Sequence, residues 1–505
     1  MSSIPTVYLV GAGPGHPGLL TLRAVECLQQ ADLVLYDKLV SPLVLEHAPA
    51  SAEQRCVADL APHHDQRVVP IHESMISAAR AGRRVVRLKG GDPYVFGRGA
   101  EEAEVLHQAG IPFEVVPGIT AALGAAAFAG ISLTHRAYAS AVAFVTGHEN
   151  PHKPESVLDW NALARFPGTL VIYMGMSRIE RIVASLTAAG KDPHTPAAAI
   201  HCATLGQQRT VTASLCELPG RVREEGMTAP ALLILGDVVR LRPELAWFER
   251  RPLIGKRVLV TRPRQQAGVF VHRLIDLGAV PYVLPTVEIR EPADWTPVDQ
   301  AIRSLAHYNW LVFTSANGVQ AFLKRIELLG LDLRALGHIR IAAIGPKTAE
   351  TLRVHHLRAD LVPARYQSED LAAELLTQIQ PQQRILLARA DRGRDVLRQQ
   401  LSATCIVEQI AVYSQVDAAE TSEEVMNALR RGEIEFVTLT SANIARSLLE
   451  RLDLTCRRRI EKGEIKLISI SPITSAEVQR LGYPLAAEAT EATMEGVIAA
   501  LVAIA

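Results

Sequence analysis

A long internal repeat constrains this chain more than any other feature. Thr314-Ser-Ala-Asn317 recurs as Thr440-Ser-Ala-Asn443, 126 positions later. Pro346-Lys-Thr348 recurs as Pro472-Ile-Thr474 at the same offset, and Arg257-Val-Leu-Val-Thr-Arg262 resembles Arg384-Ile-Leu-Leu-Ala-Arg389 at an offset of 127. A period this long implies two similar lobes, not a solenoid. Two lobes leave a cleft, and clefts are common ligand sites. A structural duplication without any site gives the same pattern.

Short apolar runs alternate with amphipathic stretches along the whole chain, which predicts α/β layers. Predicted strands include Val7–Val10, Arg84–Leu88, Thr169–Met174, Ala231–Leu235, Arg257–Thr261, Trp310–Thr314 and Phe436–Thr440. Leu20–Gln30 and Glu101–Ala109 read as helices. At roughly 150 residues per domain, 505 residues suggest about three domains. A charged, proline-containing stretch at 242–256 marks a boundary. The expected layout is a domain at 1–245, a linker at 246–255 and a domain at 256–505.

Composition excludes several classes. Lys+Arg and Asp+Glu both number 53, which argues against a nucleic-acid binder or a polybasic membrane protein. A hydrophobic fraction of 48% excludes disorder. The longest apolar run, 119–131, is too short to span a bilayer. No signal-peptide pattern opens the chain, and the six cysteines form no CxxC pair. The expectation is a cytoplasmic protein without a metal site.

Three glycine-bearing segments follow predicted strands. Gly13, Gly15 and Gly18 fit GxGxxG, with Asp37 about 20 residues on, which read alone is a dinucleotide fingerprint. Pro14 and Pro17 remove two backbone donors, so the loop better suits a rigid turn beside a ligand. In the second segment, Arg87 to Gly99, Gly90 and Gly91 let backbone approach a ligand closely. Asp92 there suits a ribose or ammonium partner, or an Asx turn ahead of Pro93. The third, Pro117-Gly-Ile-Thr-Ala-Ala122, offers small residues to a flat ring.

GxGPGxxxLLTLRA, YDxLV, RLKGGDPxVFGRG, PGITAAxGAAAxAGIxLTHR, VTGH and YMG occur in that order. Over roughly residues 5–245 the chain therefore resembles uroporphyrinogen-III C-methyltransferases of the tetrapyrrole methylase family. The resemblance implies two α/β subdomains, S-adenosylmethionine between them, and a homodimer. It assigns the cofactor to Pro14, Gly90, Gly91, Asp92, Val95, Thr120, Ala121, Met174 and Ala203, the last often Gly in the family. It makes Asp37 the proton acceptor; the residue also fits a capping or loop carboxylate. Arg98, His135, Arg136 and His148 sit in loops suited to the substrate's carboxylates.

The sequence departs from the family in one stretch. The GKR segment with its proposed proton-donor lysine is replaced around Arg55–Pro62, and Asp59 stands near the lysine's place. The Asp usual after GPG is His16. Lys38 or His63 and His64 are the available substitutes.

Residues 255–505 resemble uroporphyrinogen-III synthases. The matching elements are Val260-Thr-Arg262-Pro, Phe313-Thr-Ser-Ala-Asn-Gly-Val319, Ala343-Ile-Gly-Pro-Lys-Thr-Ala349, Gln367-Ser-Glu-Asp-Leu371, Leu387-Ala-Arg-Ala-Asp-Arg-Gly393 and Val412-Tyr413. The resemblance implies a bilobal fold of two similar parallel-sheet α/β lobes, about 256–286 plus 415–505 and about 291–410. Strands Tyr282–Ile289 and Glu408–Tyr413 would cross between them. Arg262, Ser315, Lys347, Thr348, Ser368, Arg389, Ser441, Ser471 and Thr474 are the cleft candidates, and Tyr413 is the acid candidate or a packing residue at the lobe junction.

The two halves would share one metabolite. The second would cyclise hydroxymethylbilane to uroporphyrinogen III, and the first would methylate it to precorrin-2. The branch would lead to sirohaem, cobalamin or haem d1. The alternative is an active synthase fused to a degenerate methylase that only binds tetrapyrrole or dimerises the chain.

Overall fold

A computed structural model describes residues 7–60, 68–147, 158–393, 395–418 and 422–505. His63, His64 and His148 lie outside the described residues. The chain divides into two compact units. One comprises Met1–Val258, Val271–Pro281 and Val502–Ala505, the other Leu259–Phe270 and Tyr282–Leu501.

The first unit carries two five-stranded sheets. The first sheet contains β1 (Val7–Gly11), β2 (Leu33–Tyr36), β3 (Glu53–Cys56), β4 (Val85–Lys89) and β5 (Phe113–Val116), in the order β3-β2-β4-β1-β5. All its pairings are parallel. Every residue of β4 is buried, as expected of a strand covered on both faces. The second sheet contains β6 (Val142–Thr146), β7 (Thr169–Tyr173), β8 (Pro196–His201), β9 (Arg209–Ser214) and β10 (Ala231–Leu235), in the order β6-β7-β10-β8-β9. It is mixed: β6 and β7 are parallel, whereas β10 runs antiparallel to both its neighbours.

The helix Ala121–Ala129 explains the alanine-rich motif. Its small residues allow close packing: a Cβ at Gly124 would lie 2.5 Å from Pro14 Cγ. The expected linker at 246–255 is packed within its unit. Phe248 is buried, its ring centroid 4.8 Å from that of Phe128, and Trp247 Nε1 donates to the Ala127 carbonyl at 2.9 Å.

Two further sheets belong to the second unit, apart from Arg257, Val258, Val280 and Pro281, which fall within the limits of the first. Their strands are β11 (Arg257–Val260), β12 (Val280–Val283), β13 (Val287–Arg290), β14 (Trp310–Phe313), β15 (Arg340–Ala343), β16 (Arg384–Ala390), β17 (Ile406–Asp417), β18 (Phe436–Leu439), β19 (Lys466–Ser469) and β20 (Ala487–Glu488). The sheet orders are β12-β11-β18-β19-β20 and β13-β17-β16-β14-β15. In the latter, four strands are parallel and β13 is antiparallel to β17. The predicted strand Tyr282–Ile289 is two strands, because Pro285 in the break has no N–H to donate. β12 joins one sheet and β13 the other, so the chain changes lobe between them. In that break the Thr286 hydroxyl is buried without a hydrogen-bond partner, alone among the described side-chain polar atoms.

Candidate active sites

In the first unit the predicted residues converge where β1, β4, β5, β7 and β8 end. The β1 and β4 turns are tied by a backbone bridge, Gly13 N to Gly91 O at 3.2 Å and Gly91 N to Gly13 O at 2.8 Å. Gly11, Gly91 and Gly118 meet backbone to backbone. A Cβ at Gly118 would collide with the Gly91 carbonyl, and one at Gly11 would lie 2.5 Å from Gly118 N. Around Gly90 a Cβ would meet nothing within 4 Å, which leaves that backbone open to a ligand. Val95, Ala121 and Ala203 pack against one apolar cluster. Met174 follows β7 in the left-handed region at φ +53° and is 48% exposed. Small residues, open backbone and an adaptable thioether fit a flat nucleoside.

Asp92 is held as the Asx reading has it. Its Oδ1 accepts from Tyr94 N at 2.8 Å and its Oδ2 from Gly118 N at 3.0 Å, which clamps the β4 turn to the β5 turn. Remaining lone pairs are free for a ribose. Thr120 is buried, and its hydroxyl lies 2.6 Å from the Tyr173 hydroxyl. Tyr173 also accepts from Ala122 N at 2.9 Å, so it caps the helix that Thr120 precedes. Burial pushes its phenol pKa up, and the hydroxyl stays protonated. Sequence reading stopped at its neighbour Met174.

Asp37 follows β2. Its Oδ1 accepts from Arg87 at 2.5 Å and its Oδ2 from Gly90 N at 3.3 Å. It is not a helix cap; it stands beside the glycine turn. Arg87, Glu102 and Lys89 behind it form a buried ion chain that the sequence did not announce. Asp59 closes the short 3-10 turn Val57–Asp59. Arg98 is exposed at φ +59° ahead of the helix Gly99–Gln108, and it pairs with Glu101 at 3.4 Å. His135 and Arg136 are exposed in a turn closed by two hydrogen bonds between His135 and Ala139.

In the second unit the repeated motifs are strand-to-helix turns. Ser315 and Ser441 are N-caps whose hydroxyls accept from Gly318 N at 3.0 Å and Ile444 N at 3.2 Å. Gly345 and Ser471 occupy the corresponding places before Pro346–Val354 and Pro472–Arg480. Four helix N-termini thus follow β14, β15, β18 and β19, each favourable to a carboxylate.

Ser315 Oγ lies 3.0 Å from the Tyr413 hydroxyl. Tyr413 is 5% exposed, and burial pushes its pKa up. Arg262 is half-buried, with its pKa lowered by burial; it donates to Gln266 Oε1 at 2.9 Å, and among the described residues no carboxylate pairs with it. Gln266 in turn donates to Asn317 Oδ1 at 3.0 Å, joining a residue after β11 to one after β14. Arg389, equivalent to Arg262 in the repeat, is buried and packs over Gly393. Lys347 is exposed and lines a groove with Gln320, Arg353 and His355. Ser368 begins the helix Ser368–Leu376. Thr348 and Thr474 are 4% and 1% exposed and face into their lobes, although the Thr474 hydroxyl lies 3.3 Å from Ser471 Oγ. Periodicity alone did not tell inward from outward in the first turn of those helices.

Comparison with known proteins finds two families along the chain. Residues 6–219 match Tetrapyrrole (Corrin/Porphyrin) Methylases, and residues 268–499 match Uroporphyrinogen-III synthase HemD. The Porphyrin biosynthesis protein HemD of Ruminiclostridium josui is 34% identical over 86% of this chain and 87% of its own. The Uroporphyrinogen-III C-methyltransferase of Bacillus subtilis is 38% identical over 65% of this chain and 68% of its own. The solved uroporphyrin-III C-methyl transferase of Thermus thermophilus, complexed with S-adenyl homocysteine, is 43% identical over 46% of this chain and 93% of its own, with a TM-score of 0.39.

Proposed function

The chain belongs to the tetrapyrrole methylases over its first half and to the uroporphyrinogen-III synthases over its second, and from that membership we propose a bifunctional enzyme. It closes hydroxymethylbilane to uroporphyrinogen III and transfers methyl groups to that product, giving precorrin-2. One observation carries the reading. Each half brings candidate groups together: Asp37 beside the Gly90 turn in one, and in the other Tyr413 with Ser315, and Arg262 joined through Gln266 to Asn317.

S-adenosylmethionine, when bound, supplies the methyl as a cation equivalent, its C–S electron pair staying on sulfur. Pro14, Gly90, Gly91, Asp92, Val95, Thr120, Ala121, Met174 and Ala203 would hold it. The chain's own work is alignment, which supplies about 7–11 kcal/mol in well-oriented reactions, and removal of a proton. The pyrrole carbon bonds the methyl, the ring loses a proton, and Asp37 accepts it. Arg98 and Arg136 would meet the substrate's carboxylates.

In the second half Tyr413 gives its proton to the departing hydroxyl of the bilane. Arg262, Arg389, Lys347 and the capped helix ends hold carboxylates while the last pyrrole turns over. Ser368, Ser441 and Ser471 are the remaining hydroxyl donors, with Thr348 and Thr474 supporting from within. Dimerisation through the methylase half is part of the proposal.

Asp59 at the place of the family lysine favours a second reading, in which the methylase half only binds. An anaerobic incubation of the full chain with hydroxymethylbilane, with and without S-adenosylmethionine, separates the two. Type III isomer alone, converted to a dimethylated product when the cofactor is added, supports both activities. Type III isomer in both tubes supports the second reading. Type I isomer alone overturns the synthase assignment.

A further inference from the structure

Arg87 lies in β4 with its side chain 4% exposed. Its Nη2 donates to Asp37 Oδ1 at 2.5 Å and its Nε to Glu102 Oε1 at 3.0 Å. The other oxygen of Glu102 accepts from Lys89 Nζ at 2.9 Å. The Glu102 and Lys89 side chains are 7% and 2% exposed, whereas that of Asp37 is 32% exposed. The chain of four charges therefore runs from a buried end to an open one, at the glycine turn.

Burying ions is expensive, and well-packed apolar residues in the same volume are often as stable or more so. Stability alone does not account for two cations and two anions here. The planar guanidinium fork fixes two carboxylates at once, and Lys89 fixes the far side of Glu102. With Asp37 ionised the four groups sum to zero. A proton on Asp37 leaves an excess positive charge in a poorly screened place. Burial first, and then Arg87, lower the Lys89 pKa. His72, from the helix Val68–Arg80, and Arg98 share this field, and Lys38 adjoins Asp37.

We propose that Glu102 is a positioning residue for methyl transfer: through Arg87 it aims the Asp37 carboxylate over Gly90, and its negative charge offsets Arg87 so that the carboxylate keeps its affinity for a proton, with Lys89 balancing the charge. The inference rests on the reading of Asp37 as proton acceptor.

The test is charge arithmetic in the full chain. Glu102→Gln leaves two cations against one carboxylate, Lys89→Met leaves the reverse, and the double variant restores zero. In E102Q the acid limb of the methylation kcat profile moves to lower pH and kcat at neutral pH falls about tenfold, less than the roughly 10²–10⁴-fold a general base contributes, because the base itself is still present. The KM for S-adenosylmethionine stays within about twofold. In K89M the limb moves to higher pH. The double variant recovers most of the kcat lost in E102Q, which a merely structural role would not allow. Shifts of both single variants in one direction, or a double variant worse than E102Q, overturn the proposal. If E102Q does not fold, K89M and the double variant decide. If the unaltered chain methylates nothing, the proposed function fails, and ¹³C titration of the Asp37 carboxyl, assigned with D37N, reads the coupling without turnover. The same ordering sustains it, and no ordering overturns it.

Discussion

The Tyr413 hydroxyl lies 3.0 Å from Ser315 Oγ, the same oxygen that caps the helix Ala316–Leu328. One serine thus links an acid candidate to a helix N-terminus. The arrangement presents a proton and a positive dipole end side by side to an anionic ligand. Tyr413→Phe removes only the hydroxyl, at a folding cost of about 1 kcal/mol. We expect the synthase rate to fall about a hundredfold, with more type I isomer by spontaneous closure, and unchanged methylation of supplied uroporphyrinogen III. Because the Tyr413 pKa is raised above 10, the synthase rate should not decline on its account until the pH exceeds 10. A decline near neutral pH that is lost in Y413F would contradict this.

Arg262 is a half-buried cation paired with an amide, not a carboxylate. Partial burial of a cation without a carboxylate costs stability, and cations perturbed in this way cluster at ligand sites. Arg262→Met should raise the melting temperature and raise KM for hydroxymethylbilane about tenfold or more, since hydrogen bonds to charged groups contribute about 1.5–3 kcal/mol. A melting temperature that falls while KM stays constant would show that the residue is structural.

Gly118 has no room for a methyl group, because its Cβ would run into the Gly91 carbonyl. Backbone cannot swing aside as a side chain does. Gly118→Ala should destabilise the first unit by about 1–3 kcal/mol and abolish the thermal shift given by S-adenosylhomocysteine. Full retention of both would mean that the three turns are more loosely joined than described.

Glu477 ties the helix Pro472–Arg480 to Ala442–Leu449. Hydrogen bonds from Arg480 and then Arg446 hold its pKa at about 2, down from 4.5. A carboxyl lowered in the folded state stabilises above its unfolded value and loses that contribution as pH falls through the folded one. Stability should therefore decline from near pH 4.5 towards pH 2. Glu477→Gln should lower stability at pH 7 and flatten this decline, as chemical denaturation at several pH values would record.

Much of this was legible because strand-end turns carry their chemistry in contiguous residues. The repeat predicted paired lobes, and the strands read from apolar runs appear within a residue of their expected limits, whereas Tyr282–Ile289 divides in two and Glu408–Tyr413 extends to Ile406–Asp417. The Gly90, Gly91 and Gly118 turns declared themselves as glycine runs. What stayed hidden depends on contacts distant in sequence. Nothing local marks Tyr173 as the cap of a helix 50 residues earlier, Glu102 as the partner of both Arg87 and Lys89, or Gln266 as the neighbour of Asn317. The inward faces of Thr348 and Thr474 were hidden for a related reason, since one turn of helix has no period to read.

The duplication in the second half is unequal, and the inequality has a use. Where one copy carries the exposed Lys347, the other carries Ile473, itself 40% exposed. A cleft with true twofold symmetry would accept a linear, multiply charged molecule equally well head-first or tail-first. In the proposed cleft, a cation from one lobe set against a hydrocarbon from the other would make the two orientations differ in energy. Copying supplied the matched walls, and divergence gave them polarity. On the proposed reaction, a product in which a single ring is reversed demands that the enzyme tell the first end of its substrate from the last.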